Sequence, residues 1–165
     1  MASALFIQQV DAVNESSKWV NSDAEIVAPI SLSNLAAEGL DFGTIAKGAA
    51  VTTITVPATA NPLPEYDSGD ARVLSSTPVK AAKFTVSGET GKAYYISLPS
   101  TAALIGSSGQ LTLANFKCSK STNGTAVLVG NPEEDSFYVG ASLQITPSTT
   151  QGEYVGTFSV TVSYN

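Results

Sequence analysis

Residues 152–165 read GEYVGTFSVTVSYN, and this stretch predicts the long β-strand that decides the fold. Apolar residues or glycine occupy its even-numbered positions up to Tyr164, whereas the odd-numbered positions are polar except for Val155. Because successive side chains of a strand point to opposite faces, one face is expected to be buried and the other exposed to solvent. The apolar face must pack against another element, and the identity of that element bears directly on function.

The composition indicates a single all-β domain. The chain has 165 residues, which is enough for one domain with a full core. Only 13% of the residues are charged, about half the usual share, and small or β-branched residues dominate instead. The formal net charge is −6 and the eight basic residues are scattered, so no basic patch of the kind that binds nucleic acid is expected.

The reactive side chains exclude several kinds of chemistry. The chain has no histidine, which excludes imidazole catalysis and histidine-ligated metals. Its single cysteine, Cys118, cannot form an intramolecular disulfide and is interpreted as a half-buried strand residue. The acidic groups at Asp67, Asp70 and 133–135 lack calcium-binding spacing and are interpreted as solvated loop charge. We therefore expect no enzyme activity, no cofactor and no metal.

The sequence predicts no membrane span, because no apolar run approaches the roughly 18 residues that a spanning helix needs. Residues 1–13 also lack the basic region and the continuous apolar core of a signal peptide. Either a signal has been removed and the numbering restarts, or the protein is not exported by that route. A surface poor in charge and rich in serine and threonine is typical of extracellular proteins.

Periodicity divides the chain into an N-terminal extension, residues 1–23, and a domain, residues 24–165. Strands are predicted at 24–33, 40–45, 51–56, 82–87, 92–98, 110–118, 126–129, 137–139, 142–146 and 152–164. The glycine-containing turn at 88–91 is expected to join its two flanking strands into a hairpin. Many short strands separated by turns indicate a β-sandwich.

The extension begins with a short apolar segment, residues 2–13, followed by a polar linker. As a strand, this segment places Leu5, Ile7 and Val13 on one face and Phe6 and Val10 on the other. A helix is also compatible, because Phe6, Val10 and Val13 follow helical spacing. In either case the chain begins with an apolar segment on a tether.

Three motifs of the domain resemble a bacterial exported family of unknown function. They are LDFGTI at residues 40–45, FYVGASL at residues 137–143, and the terminal stretch. That family has Leu-Asp-Phe-Gly near its start, a Val-Gly-Gly-like motif before a leucine, and a closing Gly-x-Tyr-x-Gly strand. Ala141 stands where a second glycine is usual. The resemblance extends over residues 24–165.

The ending also resembles that of chaperone–usher pilins, the subunits of bacterial fimbriae. Those subunits tend to have glycine fourteenth from the end and an aromatic penultimate residue, and here these are Gly152 and Tyr164. The resemblance implies an immunoglobulin-like β-sandwich that is incomplete and is completed by a donor strand from a neighbouring subunit. It implies a structural subunit of an extracellular fimbria that supports adhesion or biofilm formation. The implied partners are identical subunits and, during export, a periplasmic chaperone and an outer-membrane usher.

Together, the resemblance and the periodicity give a hypothesis for the residues that join two subunits. The donor strand would contain Leu5, Phe6, Ile7, Val10 and Val13. The acceptor groove and terminal strand would contain Gly152, Tyr154, Phe158, Val160, Val162 and Tyr164.

Other interpretations remain open at this point. Residues 24–33 alternate more regularly than residues 2–13 and could be the donor instead. Any complete β-sandwich can also end in an amphipathic strand with an aromatic residue. A self-contained adhesin would then have its ligand site in the loops at 57–69 or 131–136. A capsid or fibre decoration protein is a further alternative.

Overall fold

The computed structural model describes residue 21 and residues 23–35, 38–76, 78–120, 125–128 and 135–165. The predicted donor residues Leu5, Phe6, Ile7, Val10 and Val13 lie outside these ranges, as does most of the extension. The division into an extension and a domain therefore stays a prediction.

The described residues form thirteen β-strands. They are β1 (Ser31–Ser33), β2 (Ile45–Ala46), β3 (Thr52–Val56), β4 (Glu65–Tyr66), β5 (Arg72–Val73), β6 (Ala82–Ser87), β7 (Ala93–Ser97), β8 (Thr101–Gly106), β9 (Gly109–Cys118), β10 (Thr125–Val127), β11 (Ser136–Ile145), β12 (Tyr154–Val155) and β13 (Thr161–Tyr164). Within the described ranges, no helix has the length and hydropathy needed to cross a bilayer.

The strands form antiparallel sheets that pack as a β-sandwich, which confirms the predicted fold class. An eight-stranded sheet has the order β1-β6-β11-β9-β8-β12, with β3 joined to β11 and β4 joined to β3. Opposite it lie a three-stranded sheet, β10-β7-β13, and a two-stranded sheet, β2-β5. Side chains from both layers meet in two apolar clusters, which form the core.

The two clusters divide the core along the length of β11. The first core cluster contains Ile54, Val56, Leu113, Leu143 and Ile145 and packs under the β2-β5 sheet, with Ile45 and Val73 against it. The second core cluster lies under the three-stranded sheet. Its buried members are Ala82, Val86, Tyr94, Ile96, Leu128, Phe137 and Val139.

β11 is the central strand of the eight-stranded sheet and pairs with three other strands. One edge of β11 pairs with β9, and the other edge pairs first with β6, over Ser136–Val139, and then with β3, over Ala141–Ile145. The change of partner falls at Gly140. A Cβ on Gly140 would collide with the carbonyl oxygen of Val56, so only glycine lets the end of β3 reach this edge.

Several predicted strands have the expected bounds, but their pairing differs. The predicted hairpin across residues 88–91 is wrong, because β6 pairs with β1 and β11 whereas β7 pairs with β10 and β13. The connection instead crosses from one layer to the other. The strands predicted at 137–139 and 142–146 are one strand, β11, and β8 was not predicted.

The strand predicted at 24–33 is reduced to Ser31–Ser33, which pairs with β6. Pro29 has no N–H to donate, and the described residues before it form no strand. The side chain of Leu32 is half-buried against the second core cluster, whereas that of Ile26 is 96% exposed.

The terminal stretch keeps its predicted faces but is not one strand. Its even-numbered side chains from Phe158 to Tyr164 are half-buried and the odd-numbered ones are exposed, as the alternation predicts. However, β12 pairs with β8 in the eight-stranded sheet, whereas β13 pairs with β7 in the three-stranded sheet. Residues 156–160 cross between the layers without strand pairing.

A carboxylate holds the connection between β2 and β3. Oδ1 and Oδ2 of Asp70 accept hydrogen bonds from the N–H groups of Ala50 and Ala49, each at 2.9 Å. These hydrogen bonds, chiefly that from Ala50, hold the pKa of Asp70 below its ordinary value of 3.8. Asp70 is exposed, as predicted. Its hydrogen bonds also fix the path of the connection from β2 in one layer to β3 in the other.

We expect Gly140→Ala to destabilise the fold by about 1–3 kcal/mol, the usual cost of overpacking, because the new Cβ meets the Val56 carbonyl. Chemical denaturation of the purified chain would measure this change. Gly39→Ala is the matched control, because a Cβ there has no neighbour within 4 Å. Equal stability of the two variants would contradict the proposed constraint.

We expect Asp70→Asn to lower the melting temperature at neutral pH, because it removes the ionised acceptor of two backbone hydrogen bonds. A lowered folded pKa gives stability that is complete above the unfolded pKa and is lost as pH falls through the folded pKa. The difference from the natural chain should therefore shrink below about pH 4. Melting curves across pH would test this, with the exposed Asp23→Asn as control. A difference that is constant with pH would refute it.

Candidate functional site

A groove of about 1020 Å³ with an apolar floor opens onto the first core cluster. One wall is formed by residues 40–47 and the other by residues 149–156. The floor comes from β8, β9 and β11, and it contains Leu104, Leu111, Leu113, Leu143 and Ile145. Leu104 and Leu111 are only half-buried, so the groove leaves apolar surface of the core accessible.

The Leu-Asp-Phe-Gly motif builds the first wall of the groove. Oδ1 of Asp41 accepts a hydrogen bond of 2.7 Å from the N–H of Gly43, and Gly43 has a φ of 65°, which glycine adopts without steric cost. The turn buries Phe42 in the first core cluster, and β2 follows it. The motif therefore sets the path of this wall.

The second wall lies directly against β8 at two positions, Gly156 and Tyr154. A Cβ on Gly156 would collide with the carbonyl oxygen of Ala103, so the backbone of the terminal stretch lies directly on this strand. Tyr154 lies beside Gly106, where a Cβ would stand 2.7 Å from Cε1 of the ring. Glycine at this position gives the aromatic ring room to cover the neighbouring strand.

Each wall pairs along one edge among the described residues. β12 is the last strand of the eight-stranded sheet and pairs with β8, whereas β2 pairs with β5. An extended segment in the groove would therefore lie between two strands that belong to different sheets. Unpaired strand edges of this kind are templates for a further strand.

Lys47 connects the two walls at one end of the groove. Its Nζ donates hydrogen bonds to the carbonyl oxygens of Pro147 and Thr149, at 3.1 Å and 3.0 Å. Because Lys47 ends one wall and Thr149 begins the other, this contact fixes the spacing between them.

The predicted acceptor residues separate into two groups. Gly152 and Tyr154 line the groove. The other four pack against the second core cluster within their own chain; they are Phe158, Val160, Val162 and Tyr164. The ring of Phe158 lies 5.0 Å from that of Phe116 and 6.4 Å from that of Phe84, measured between centroids.

Tyr164, the penultimate residue, ties the terminal stretch to two other segments. Its hydroxyl donates a hydrogen bond to the carbonyl oxygen of Ala28 and accepts one from the N–H of Glu89, both at 2.7 Å. A second contact joins the same two segments, because Nζ of Lys92 forms an ion pair with Oε2 of Glu25 at 2.8 Å. Residues 25–28, part of the alternative donor segment, are thus held against their own domain.

Sequence reasoning missed the floor and one wall of the groove. Leu104 lies on β8, which was not predicted, and Leu111 was assigned to a strand without a role. The signal for the wall at residues 40–47 is the Leu-Asp-Phe-Gly motif, which in the sequence indicates only a resemblance to a family. Alternation identifies which face of a strand is apolar, but it does not identify which strands flank a gap.

No catalytic grouping emerges in the part of the chain that the structure describes. There, no three cysteine, aspartate or glutamate side chains gather as a metal site would need. The buried hydroxyl of Tyr94 makes no hydrogen bond, and burial, assisted by the charge of Asp135, raises its pKa to about 12. The expectations of no enzyme activity and no cofactor stay predictions.

Comparison with curated proteins and with solved structures gives no match to the chain. Comparison with protein families gives a match over residues 32–164, which include both walls and the whole floor of the groove. The matched family carries the description Domain of unknown function (DUF4402). Since the match covers most of the sequence, the chain belongs to this family.

Proposed function

We propose that this protein is a structural subunit of an extracellular fimbria that assembles head to tail by donor-strand exchange. The N-terminal segment of one subunit, residues 2–13, enters the groove of the next subunit. The fimbria would support adhesion or biofilm formation at the cell surface. The resemblance of the terminal stretch to pilins motivates the proposal, and the groove supports it.

The observation that carries the proposal is a gap with an apolar floor between two walls, each of which pairs on one edge among the described residues. β12 and β2 each pair on one edge, and half-buried Leu104 and Leu111 lie on the floor between the walls. A strand with alternating apolar side chains satisfies both features, because its backbone pairs with the walls while one face covers the leucines.

The energetic gain from such insertion is large. Burial of the two or three large apolar side chains on one face of residues 2–13, at roughly 1.5–3 kcal/mol each, gives a gross gain of roughly 3–9 kcal/mol. Main-chain pairing adds to this gain and removes exposed strand edges that would otherwise favour aggregation. A head-to-tail contact between identical subunits that does not close on itself produces a filament.

Assembly of this kind needs protection of the groove before a donor arrives. A periplasmic chaperone would cover the apolar floor during export, and an outer-membrane usher would place subunits in order. The partners in the fibre are identical copies of this chain.

A self-contained surface-binding module is the second candidate. This candidate is favoured because four of the predicted acceptor residues already pack against the second core cluster of their own chain; they are Phe158, Val160, Val162 and Tyr164. A monomer that resists denaturation without any added peptide would support this candidate.

We expect deletion of residues 2–13 to abolish filaments in electron micrographs, because the groove loses its donor. A synthetic peptide of residues 2–13, added while the variant refolds, should raise its melting temperature. Peptides with Leu5 and Ile7, or with Phe6 and Val10, replaced by asparagine would show which face enters the groove. Filaments that form normally without residues 2–13 would refute this assignment.

We expect Leu104→Glu to prevent assembly, because it places a charge on the apolar floor of the groove. Ile105→Glu is the matched control, since this neighbour points to the opposite face of β8 and is already 52% exposed. Sedimentation and electron microscopy would compare the two variants, with circular dichroism to verify folding. Leu104→Ala should weaken assembly without burying a charge. Equal assembly of all three variants would exclude the groove as the subunit contact.

A further inference from the structure

A second, polar cavity of about 350 Å³ adjoins the groove at Tyr154. It is bounded by the β8–β9 turn, by the end of β11 and by the turn at residues 146–150. Tyr154 lines both cavities and donates a hydrogen bond of 2.8 Å from its hydroxyl to the carbonyl oxygen of Thr150. The polar cavity therefore adjoins the proposed subunit contact and shares four lining residues with it, Leu111, Thr149, Thr150 and Tyr154.

Three side chains on neighbouring strands supply hydrogen-bonding groups to this cavity. Gln110 and Thr112 are on β9 and Gln144 is on β11, and all three are exposed. Because Leu113 pairs with Leu143, the register places Thr112 beside Gln144 on the same face of the sheet. Within the described ranges these three side chains make no hydrogen bond to protein, so their amide and hydroxyl groups are available to a ligand.

The turn that closes the cavity is fixed by its own hydrogen bonds. Oγ1 of Thr146 lies 2.9 Å from Oγ of Ser148 and 3.1 Å from Oγ1 of Thr149, and the N–H of Thr146 donates to Oγ1 of Thr149 at 3.0 Å. Lys47 binds two carbonyl oxygens of the same turn. The hydroxyls are thus held in place before any ligand arrives, which reduces the entropy lost on binding.

The chemistry of the lining selects a neutral ligand rich in hydroxyl groups. Serine, threonine and glutamine dominate the lining, and no lining residue is charged although the chain as a whole carries −6. Anions and cations would find no counter-charge here. The volume lies near the lower end of the range of about 300–1,000 Å³ that is usual for small-ligand pockets, which suits a single sugar ring.

We propose that this cavity binds a neutral monosaccharide unit, with Gln110, Thr112 and Gln144 bonding its hydroxyl groups. This inference does not depend on donor-strand exchange, because the cavity is formed by residues of one chain. It also differs from the loops at 57–69 and 131–136 that the sequence suggested for an adhesin.

Saturation-transfer difference NMR on the full chain would test the proposal, since it detects weakly bound ligands on monomers and filaments alike. The probes are the methyl glycosides of glucose, galactose, mannose and N-acetylglucosamine, with glycerol as a flexible polyol. We expect saturable transfer to at least one glycoside and none to glycerol. No transfer to any of the four glycosides, or equal transfer to glycerol, would overturn the proposal.

Two matched threonines locate the site. Thr112→Val should weaken binding about tenfold through the loss of one hydrogen-bonding partner, as should Gln144→Ala. Thr101→Val should leave binding unchanged, because Thr101 is exposed on the same face of the β8–β9 hairpin but outside the cavity. Equal affinity of the Thr112 and Thr101 variants would place the sugar elsewhere and refute the assignment. Sugar binding and filament formation are measured separately. Sugar binding that occurs whether or not filaments form would show that this result is independent of the proposed function.

Discussion

The contact between Gly140 and the carbonyl oxygen of Val56 determines how the two halves of the sandwich join. At this point β11 exchanges β6 for β3 along one edge, while β9 continues along the other. The change of partner coincides with the division of the core, because Val139 belongs to the second core cluster and Ala141 to the first. A side chain at residue 140 would separate the edge strands and open the core along this line.

The division of the core explains why the groove lies over only one cluster. Over the second core cluster, β13 pairs with β7 and Phe158 fills the space between the layers with other aromatic rings. Over the first core cluster, the strands that the described residues contribute to the opposing layer are the short β2 and β5. The terminal stretch leaves this half when it crosses at residues 156–160, and Leu104 and Leu111 remain half-buried.

The sequence predicts which face of a strand is apolar better than it predicts which strands pair, for a physical reason. The faces of residues 158–164 and the bounds of β6 follow from alternation, which depends only on local backbone geometry. The partner of each strand depends on distant residues, so the turn at 88–91 was interpreted as a hairpin although it connects two layers. β8 was missed because its alanines and glycine give a weak strand pattern. The groove could not be predicted, since it is defined by the relative placement of walls and floor that are distant in the sequence.

The crossing of the terminal stretch has a mechanical consequence. β12 is attached to the eight-stranded sheet and β13 to the three-stranded sheet, so one continuous segment joins the two layers covalently. In a filament of the proposed kind, tension would enter each subunit between β12 and β2 and act along the strands, which loads their hydrogen bonds in shear rather than one at a time. The connections at residues 88–91 and between β2 and β3 also cross between the layers, so sliding of the layers would stretch several covalent connections at once.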